Sequence, residues 1–272
     1  MPTMRVRGAD LHYEDSAGMG EPILFLHGFL FDGRQFDAQV AALRDRYRCV
    51  TVDFRGQGRS APGRGGYQVE QHVADVLTVI RTLGLAPVHL VGLSMGGFVG
   101  LRIAARQPDL LRSLTLLNTS AAAHARTKFP KQLLLAAIAR ATGVRVRPIV
   151  AGVEAELYGP AFRADPARAP VREAWRQRWA RADRAALVRT LLGFMIRPDV
   201  RDELGGVSVP TLIIAGAVDA SLPPVHSRDV HARIAGSTLV ELPEVGHSSP
   251  IEDPAAVTRA MEEFLATPRV GP

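Results

Sequence analysis

Ser94 stands in Gly92-Leu93-Ser94-Met95-Gly96, directly after the apolar run Val88–Val91 and before a stretch with helical spacing. A serine hydroxyl is a weak nucleophile, useful only when its oxygen stands clear of the backbone beside a base. A sharp strand-to-helix turn achieves that by holding the serine in a strained conformation. Such a turn leaves no room for Cβ atoms two residues to either side, which gives a reason for Gly92 and Gly96, and Gly97 lets the following helix approach the strands. The start of that helix adds partial positive charge where an oxyanion would form. A glycine-rich turn that happens to contain serine has the same local pattern, so the reading depends on partners elsewhere in the chain.

Those partners must follow in the order acid then base, each at the end of its own strand. Of the eight histidines, His226, His231 and His247 lie late enough. The first two fall in a helical stretch after Pro223-Pro224 and read as surface residues, whereas His247 sits in a loop after the strand-like Thr238–Leu242 and can reach over a sheet edge. Asp219 comes directly after the strand-like Thr211–Ala215, and the residue after Leu114–Leu117 is Asn118, so no carboxylate competes from that position. An ordinary turn aspartate and a loop histidine bonded to backbone are the plainer alternatives. Tetrahedral intermediates also need two backbone N–H donors, and these are expected from Met95 and from Phe29 in the His27-Gly28-Phe29 loop, with His27 bracing the loop. The glycine-rich turn Asp53–Ser60 reads as structural.

Elements able to position these residues are legible in the apolar pattern. Ile23–Leu26, Arg48–Val52, Val88–Val91 and Leu114–Leu117 read as strands, with helical spacing at 38–43, 69–83 and 98–105 between them, the pattern of a mostly parallel sheet. After about residue 120 strand signals stop. Val171, Trp175, Trp179, Ala182, Ala186, Leu187, Leu191, Phe194 and Met195 follow helical steps, with Asp183 placed to cap a fresh helix partway. Strands resume at Thr211–Ala215 and Thr238–Leu242, and a closing helix runs from about Pro254 to Leu265. The expected organisation is an α/β core, residues 1–120 and 201–272, interrupted by a helical cap at 121–200. Phe31, Trp175, Trp179 and Leu222 are candidate substrate walls between cap and sheet, although core or inter-helix packing explains a tryptophan pair at this spacing more often than substrate contact does.

With 272 residues, 47% hydrophobic and 22% charged, the chain has the composition of a globular protein and can bury a sizeable core. A lone cysteine, Cys49, excludes an intramolecular disulfide and a cysteine-based zinc site, and no cofactor or metal is expected. Without an apolar leader or a long apolar run, the expectation is a cytoplasmic protein with no membrane partner. The net charge of +6 is unevenly spread: residues 121–200 hold fifteen Lys and Arg against six Asp and Glu. The excess lies entirely in that one segment, and no nucleic-acid partner is expected. It leaves a solvated helical surface or a field attracting acidic substrates, either a carboxylate-bearing small molecule or an acyl carrier.

Together these motifs resemble the α/β-hydrolases: HGF at 27–29, DFRGQGRS at 53–60, GLSMGG at 92–97, GAVD at 216–219 and GH at 246–247 stand in that family's order. The chain is most similar to the 3-oxoadipate enol-lactonases and related small esterases, through GLSMGG, LNTSAAA at 117–123, VPTLIIAG at 209–216 and IEDPAAV at 251–257. The resemblance implies an eight-stranded, mostly parallel sheet, a triad of Ser94, Asp219 and His247, and hydrolysis of a small ester or lactone. Two departures stand out. Gln57 occupies a turn position where many enol-lactonases have His, and the HGFL of residues 27–30 is similar to enzymes that eliminate pyruvate, but Phe98 stands where those have Arg. A cofactor-free C–C hydrolase, a thioesterase and a silent hydrolase-fold binding protein remain alternatives on the sequence.

Overall fold

The computed structural model describes residues 2–267. Eight strands, β1 (Thr3–Val6), β2 (Ala9–Asp15), β3 (Pro22–Leu26), β4 (Arg48–Val52), β5 (Val88–Leu93), β6 (Leu111–Leu117), β7 (Thr211–Gly216) and β8 (Thr238–Leu242), form one sheet in the order β1-β2-β4-β3-β5-β6-β7-β8. From β4 through β8 all pairings are parallel, while β1–β2 and β2–β4 are antiparallel. Helices α1 (Asp37–Leu43), α2 (Val69–Thr82), α3 (Met95–Arg106), α9 (Val225–Arg233), α10 (Ser249–Glu252) and α11 (Pro254–Ala266) flank or close the sheet.

The central strands are apolar along their length because both faces are covered. Period two still sorts their side chains: Leu24, Leu26, Val88 and Leu90 enter the core beneath α2 and α3, with Val76, Ile80, Val99 and Ile103. Ile23, Phe25, Val91 and Leu93 enter the core beneath α1 and α11, with Leu43, Val257 and Met261. Each such side chain contributes about 1.5–3 kcal/mol on burial. Cys49 belongs to the second core, where burial pushes its thiol pKa up to about 12, so it is a packing residue and not a reactive one.

The strand pattern in the sequence begins only at Ile23, and the structure adds the β1–β2 hairpin before it. Its reversal uses Arg7 and Gly8, both at positive φ, as a two-residue hairpin turn requires. Exposed polar residues, as at Asp10 and Glu14, dilute the apolar signal of this sheet edge.

Between β6 and β7 the chain forms helices α4 (Phe129–Thr142), α5 (Arg147–Leu157), α6 (Pro160–Ala164), α7 (Ala169–Arg181) and α8 (Arg184–Met195). The Asp183 side chain accepts the Ala186 N–H at 2.7 Å and starts α8, while Val171 lies off the buried stripe and is 37% exposed. Several arginines of this segment tie helix to helix through backbone carbonyls: Arg184 Nη1 donates to Ala141 at 2.7 Å and Arg145 Nε to Ala180 at 2.7 Å. Both carbonyls lie at helix C-termini, where acceptors are unpaired and the dipole favours cations. Part of the arginine cluster is therefore stapling, which leaves its charge uncompensated. Among the described residues no helix is long and apolar enough to cross a membrane, and no group of three or more His, Cys, Asp or Glu could hold a metal ion.

Candidate active site

Ser94 joins β5 to α3 with φ 50° and ψ −110°, a conformation rarely adopted by a residue with a Cβ. Neighbouring backbone over-determines it: the Ser94 N–H donates to the Leu117 carbonyl at 2.9 Å, and its own carbonyl accepts from Phe98 N at 2.9 Å and Thr119 Oγ1 at 2.8 Å. The glycines of the motif are spatial requirements. A Cβ on Gly92 would press the Gly96 carbonyl at 2.5 Å, one on Gly96 would run into the Leu26 carbonyl, and one on Gly97 would meet Thr119 Oγ1 at 2.5 Å. Gly96→Ala is accordingly expected to cost roughly 3 kcal/mol and about 5–10 °C in Tm, read by thermal denaturation. A Tm within 1 °C of wild type would show that α3 can slide away from β3.

Asp219 and His247 follow β7 and β8 at the same end of the sheet and are both buried. His247 Nδ1 lies 2.7 Å from Asp219 Oδ2, so with a proton on Nδ1 the imidazole donates to the carboxylate and leaves Nε2 free to accept. Three further donors converge on the same carboxylate: Asn118 Nδ2 on Oδ2 at 3.0 Å, and the Ser221 and Leu222 N–H groups on Oδ1 at 2.8 and 2.9 Å. Asn118 also donates to the Gly246 carbonyl at 3.1 Å and accepts from Ser249 Oγ at 2.7 Å. The loop bearing the histidine thus returns from β8 across β7 to the end of β6, beside the strand that ends in Ser94.

Asn118 enters the sequence reading only as the absence of a carboxylate. Its position directly after a strand, at a positive φ of 48°, is the signal that it does something there. His226, read from sequence as a surface residue, is half-buried with Nδ1 3.2 Å from Ser120 Oγ.

The loop after β3 is held from three sides. Gly28 N donates to Gln35 Oε1 at 2.8 Å, Leu30 N donates to Gln57 Oε1 at 3.0 Å, and His27 Nε2 accepts from Phe54 N at 2.9 Å while Nδ1 faces the Gly28 carbonyl at 2.7 Å. Burial holds the His27 pKa below the usual imidazole range, which suits this neutral donor–acceptor arrangement. Gln57, the departure from the enol-lactonase pattern, supplies one of these holds. Asp53 supports it by accepting from Gly33 N at 2.7 Å and Arg59 N at 2.9 Å, and Arg55 makes a buried bidentate pair with Asp75 at 2.7 Å on each arm. Among the described residues, neither the Phe29 N–H nor the Met95 N–H has a hydrogen-bond acceptor, although the N–H groups on either side of Phe29 and the one preceding Met95 do. Two unpaired donors at a helix start and an adjoining loop are what an oxyanion needs.

The residues expected to wall a pocket are placed differently from one another. Phe31, Trp175 and Trp179 lie in one cluster with Leu157, Tyr158 and Phe162, and Phe31 packs edge-on against Trp175 at 4.8 Å. All three are at most 5% exposed, so their surfaces face one another and join the helices between β6 and β7 to the loop after β3. Leu222 is half-buried against the main core. Phe29 instead packs on Phe194 at 5.3 Å, and Phe194 faces Phe98, one helical turn beyond Ser94. Over the Phe98 ring, at 4.2 Å, sits the guanidinium of Arg197, which the sequence pattern did not single out. It donates to the Ala122 and Phe194 carbonyls at 3.1 Å, and among the described residues it has no carboxylate partner. Burial, and then the charge of Arg102, bring its pKa down to about 10, leaving it a cation at neutral pH.

Comparison with known proteins bears on what this arrangement can do. Residues 21–254 match the profile of a family described as alpha/beta hydrolase fold. A thermophilic esterase from Thermogutta terrifontis is 31% identical with a TM-score of 0.88, covering 97% of this chain and 98% of that one. The enol-lactonase from Burkholderia xenovorans is 30% identical with a TM-score of 0.88, covering 98% of this chain and 100% of that one. Pimeloyl-[acyl-carrier protein] methyl ester esterase of Aeromonas hydrophila is 28% identical over 91% of this chain and 96% of its own length.

Proposed function

The chain belongs to the α/β hydrolase fold family and is a hydrolase, and from that premise we propose that it cleaves a carboxylic ester or lactone through an acyl-enzyme on Ser94. The observation that carries this reading is the 2.7 Å bond between His247 Nδ1 and Asp219 Oδ2, at the sheet edge that also bears the strained serine. Ser94 Oγ attacks the acyl carbon while its proton passes to His247 Nε2, and the carbonyl electrons collect on an oxyanion facing the Phe29 and Met95 N–H groups. Collapse of that intermediate breaks the acyl C–O bond, and the leaving oxygen takes the proton from His247. Water then repeats the sequence on the acyl-enzyme and releases the acid. Throughout, Asp219 holds the tautomer that leaves Nε2 basic and stabilises the imidazolium.

The test is a screen of p-nitrophenyl esters, lactones and acyl thioesters, with fluorophosphonate labelling of Ser94 as the control. Turnover of esters or lactones together with labelling supports the reading. Labelling without such turnover, and turnover of a vinylogous diketone instead, would move the activity to C–C hydrolysis.

Substrate class rests on charge. The helices between β6 and β7 carry the excess of arginine, and among the described residues Arg197 has no carboxylate in ion-pair contact, only the more distant charge of Asp199, beside an aromatic wall that reaches toward Ser94, which supports an acidic ester, small or carrier-bound. For a carboxylate-bearing ester kcat/KM is expected to fall about tenfold between low and 0.3 M salt, as screening shortens the reach of the field, while a neutral ester of the same size stays within twofold. Equal salt response of the two esters would remove the field from the account of specificity.

A further inference from the structure

Glu252, at the end of α10, is a buried carboxylate to which the reaction above assigns no step, and among the described residues it has no Lys or Arg partner. It is satisfied by backbone alone. Oε2 accepts from Gly159 N at 2.7 Å and Gly246 N at 3.0 Å, and Oε1 accepts from Ser248 N at 3.0 Å. Gly246 and Ser248 are the two neighbours of His247, so the carboxylate straddles the peptides that carry the imidazole, while Gly159 belongs to the segment between α5 and α6. The Ser248 N–H is shared with the Leu157 carbonyl at 3.0 Å, and a Cβ on Gly246 would strike the Tyr158–Gly159 backbone. On the other side of the Gly246 peptide, its carbonyl is taken by Asn118.

An unpaired buried carboxylate is a costly way to close a loop, since removing a charge from water costs several kcal/mol unless donors replace the solvent. Burial raises the Glu252 carboxyl above the usual range, and the three N–H groups and the charge of His247 oppose that. A neutral side chain could fill the space, but only a carboxylate offers acceptors on both oxygens with no donor of its own.

Resting on the reading that His247 is the base, we propose that Glu252 is a positioning residue for it, clamping the peptides on both sides of His247 and tying them to the backbone at Gly159. The test is a double-mutant cycle on p-nitrophenyl acetate. Glu252→Gln, whose amide must turn its NH2 toward at least one N–H donor, is expected to lower kcat about 10- to 100-fold with KM within about twofold, and to slow fluorophosphonate labelling of Ser94 equally. In a His247→Ala background the same substitution is expected to change the residual rate less than about twofold, because its effect passes through the imidazole. Amide hydrogen exchange is expected to quicken at Gly159, Gly246 and Ser248. Equal losses in both backgrounds, or unchanged exchange at these amides, would overturn the proposal. Should His247→Ala itself keep wild-type turnover, the hydrolytic mechanism fails instead, and exchange alone then decides the clamp. Glu252→Asp, which keeps the charge but withdraws it by one methylene, takes the same cycle if the glutamine variant does not fold.

Discussion

Replacing Ser94 with alanine is expected to lower turnover of an activated ester by about 10⁴–10⁶-fold, leaving the contribution of binding and of the two N–H donors. The fold should survive, because every hydrogen bond that shapes the turn uses the backbone of residue 94: its N–H to Leu117, and its carbonyl from Phe98 and Thr119. Alanine keeps the Cβ and therefore the strain at φ 50°, so denaturant midpoints of the variant and the parent should agree closely. Ser94→Gly relieves that strain and is expected to be more stable than Ser94→Ala by about 1 kcal/mol while equally inactive. The pair separates chemistry from folding: loss of turnover without loss of stability assigns the hydroxyl to the reaction. Near-normal turnover by Ser94→Ala in clean protein would end the acyl-enzyme mechanism.

What could be read in advance follows a physical division. The Gly92–Gly97 turn and the strands that precede Asp219 and His247 are encoded locally, in apolar runs that stop at polar residues, and the six strands from Ile23 onward appear in the structure close to their expected bounds. The β1–β2 hairpin is also local, but its edge position replaces the apolar run with alternation too weak to read. Asn118 and Glu252 are different. Asn118 meets partners 101 and 128 residues away, and Glu252 joins Gly246 and Ser248, 6 and 4 residues away, to Gly159, 93 residues away; no periodicity in one chain reports which N–H or carboxylate a polar side chain will meet.

Aromatic residues show the same limit from the other side. Trp175 and Trp179 recur at helical spacing whether their faces meet a ligand or Phe31, and the structure packs them on Phe31. Phe29, Phe98 and Phe194 come from three separate elements, so their adjacency follows from topology and not from any repeat. The arginine excess divides likewise. Composition revealed its segment, yet only the folded chain shows that Arg145, Arg184 and Arg197 all bond backbone carbonyls and that Arg197 alone of the three also lies over the Phe98 ring.

Asp219→Asn is expected to lower kcat by about 10⁴-fold, close to the effect of losing the base altogether, because the site offers an amide no acceptable orientation. All four contacts of the native carboxylate are donors: His247 and Asn118 on Oδ2, Ser221 and Leu222 on Oδ1. If the amide NH2 turns toward His247, Nδ1 must become the acceptor, the ring proton moves to Nε2, and the imidazole can no longer take the proton of Ser94. If the NH2 turns instead toward residues 221 and 222, the tautomer survives, but two half-buried N–H groups lose their acceptor, at about 1 kcal/mol each. The two outcomes have different signatures. The first leaves one Asn118 N–H without its acceptor and gives an inactive protein with slow fluorophosphonate labelling and a small loss of stability, the second an active but more strongly destabilised one. The tautomer change is expected, since the loop carrying Ser221 and Leu222 would otherwise lose both of its bonds to residue 219, whereas His247 can answer by moving one proton. A variant that keeps both kcat within tenfold of wild type and the wild-type denaturation midpoint would mean that Asp219 does not govern the imidazole, and the base would have to be held by Asn118 and Glu252 alone.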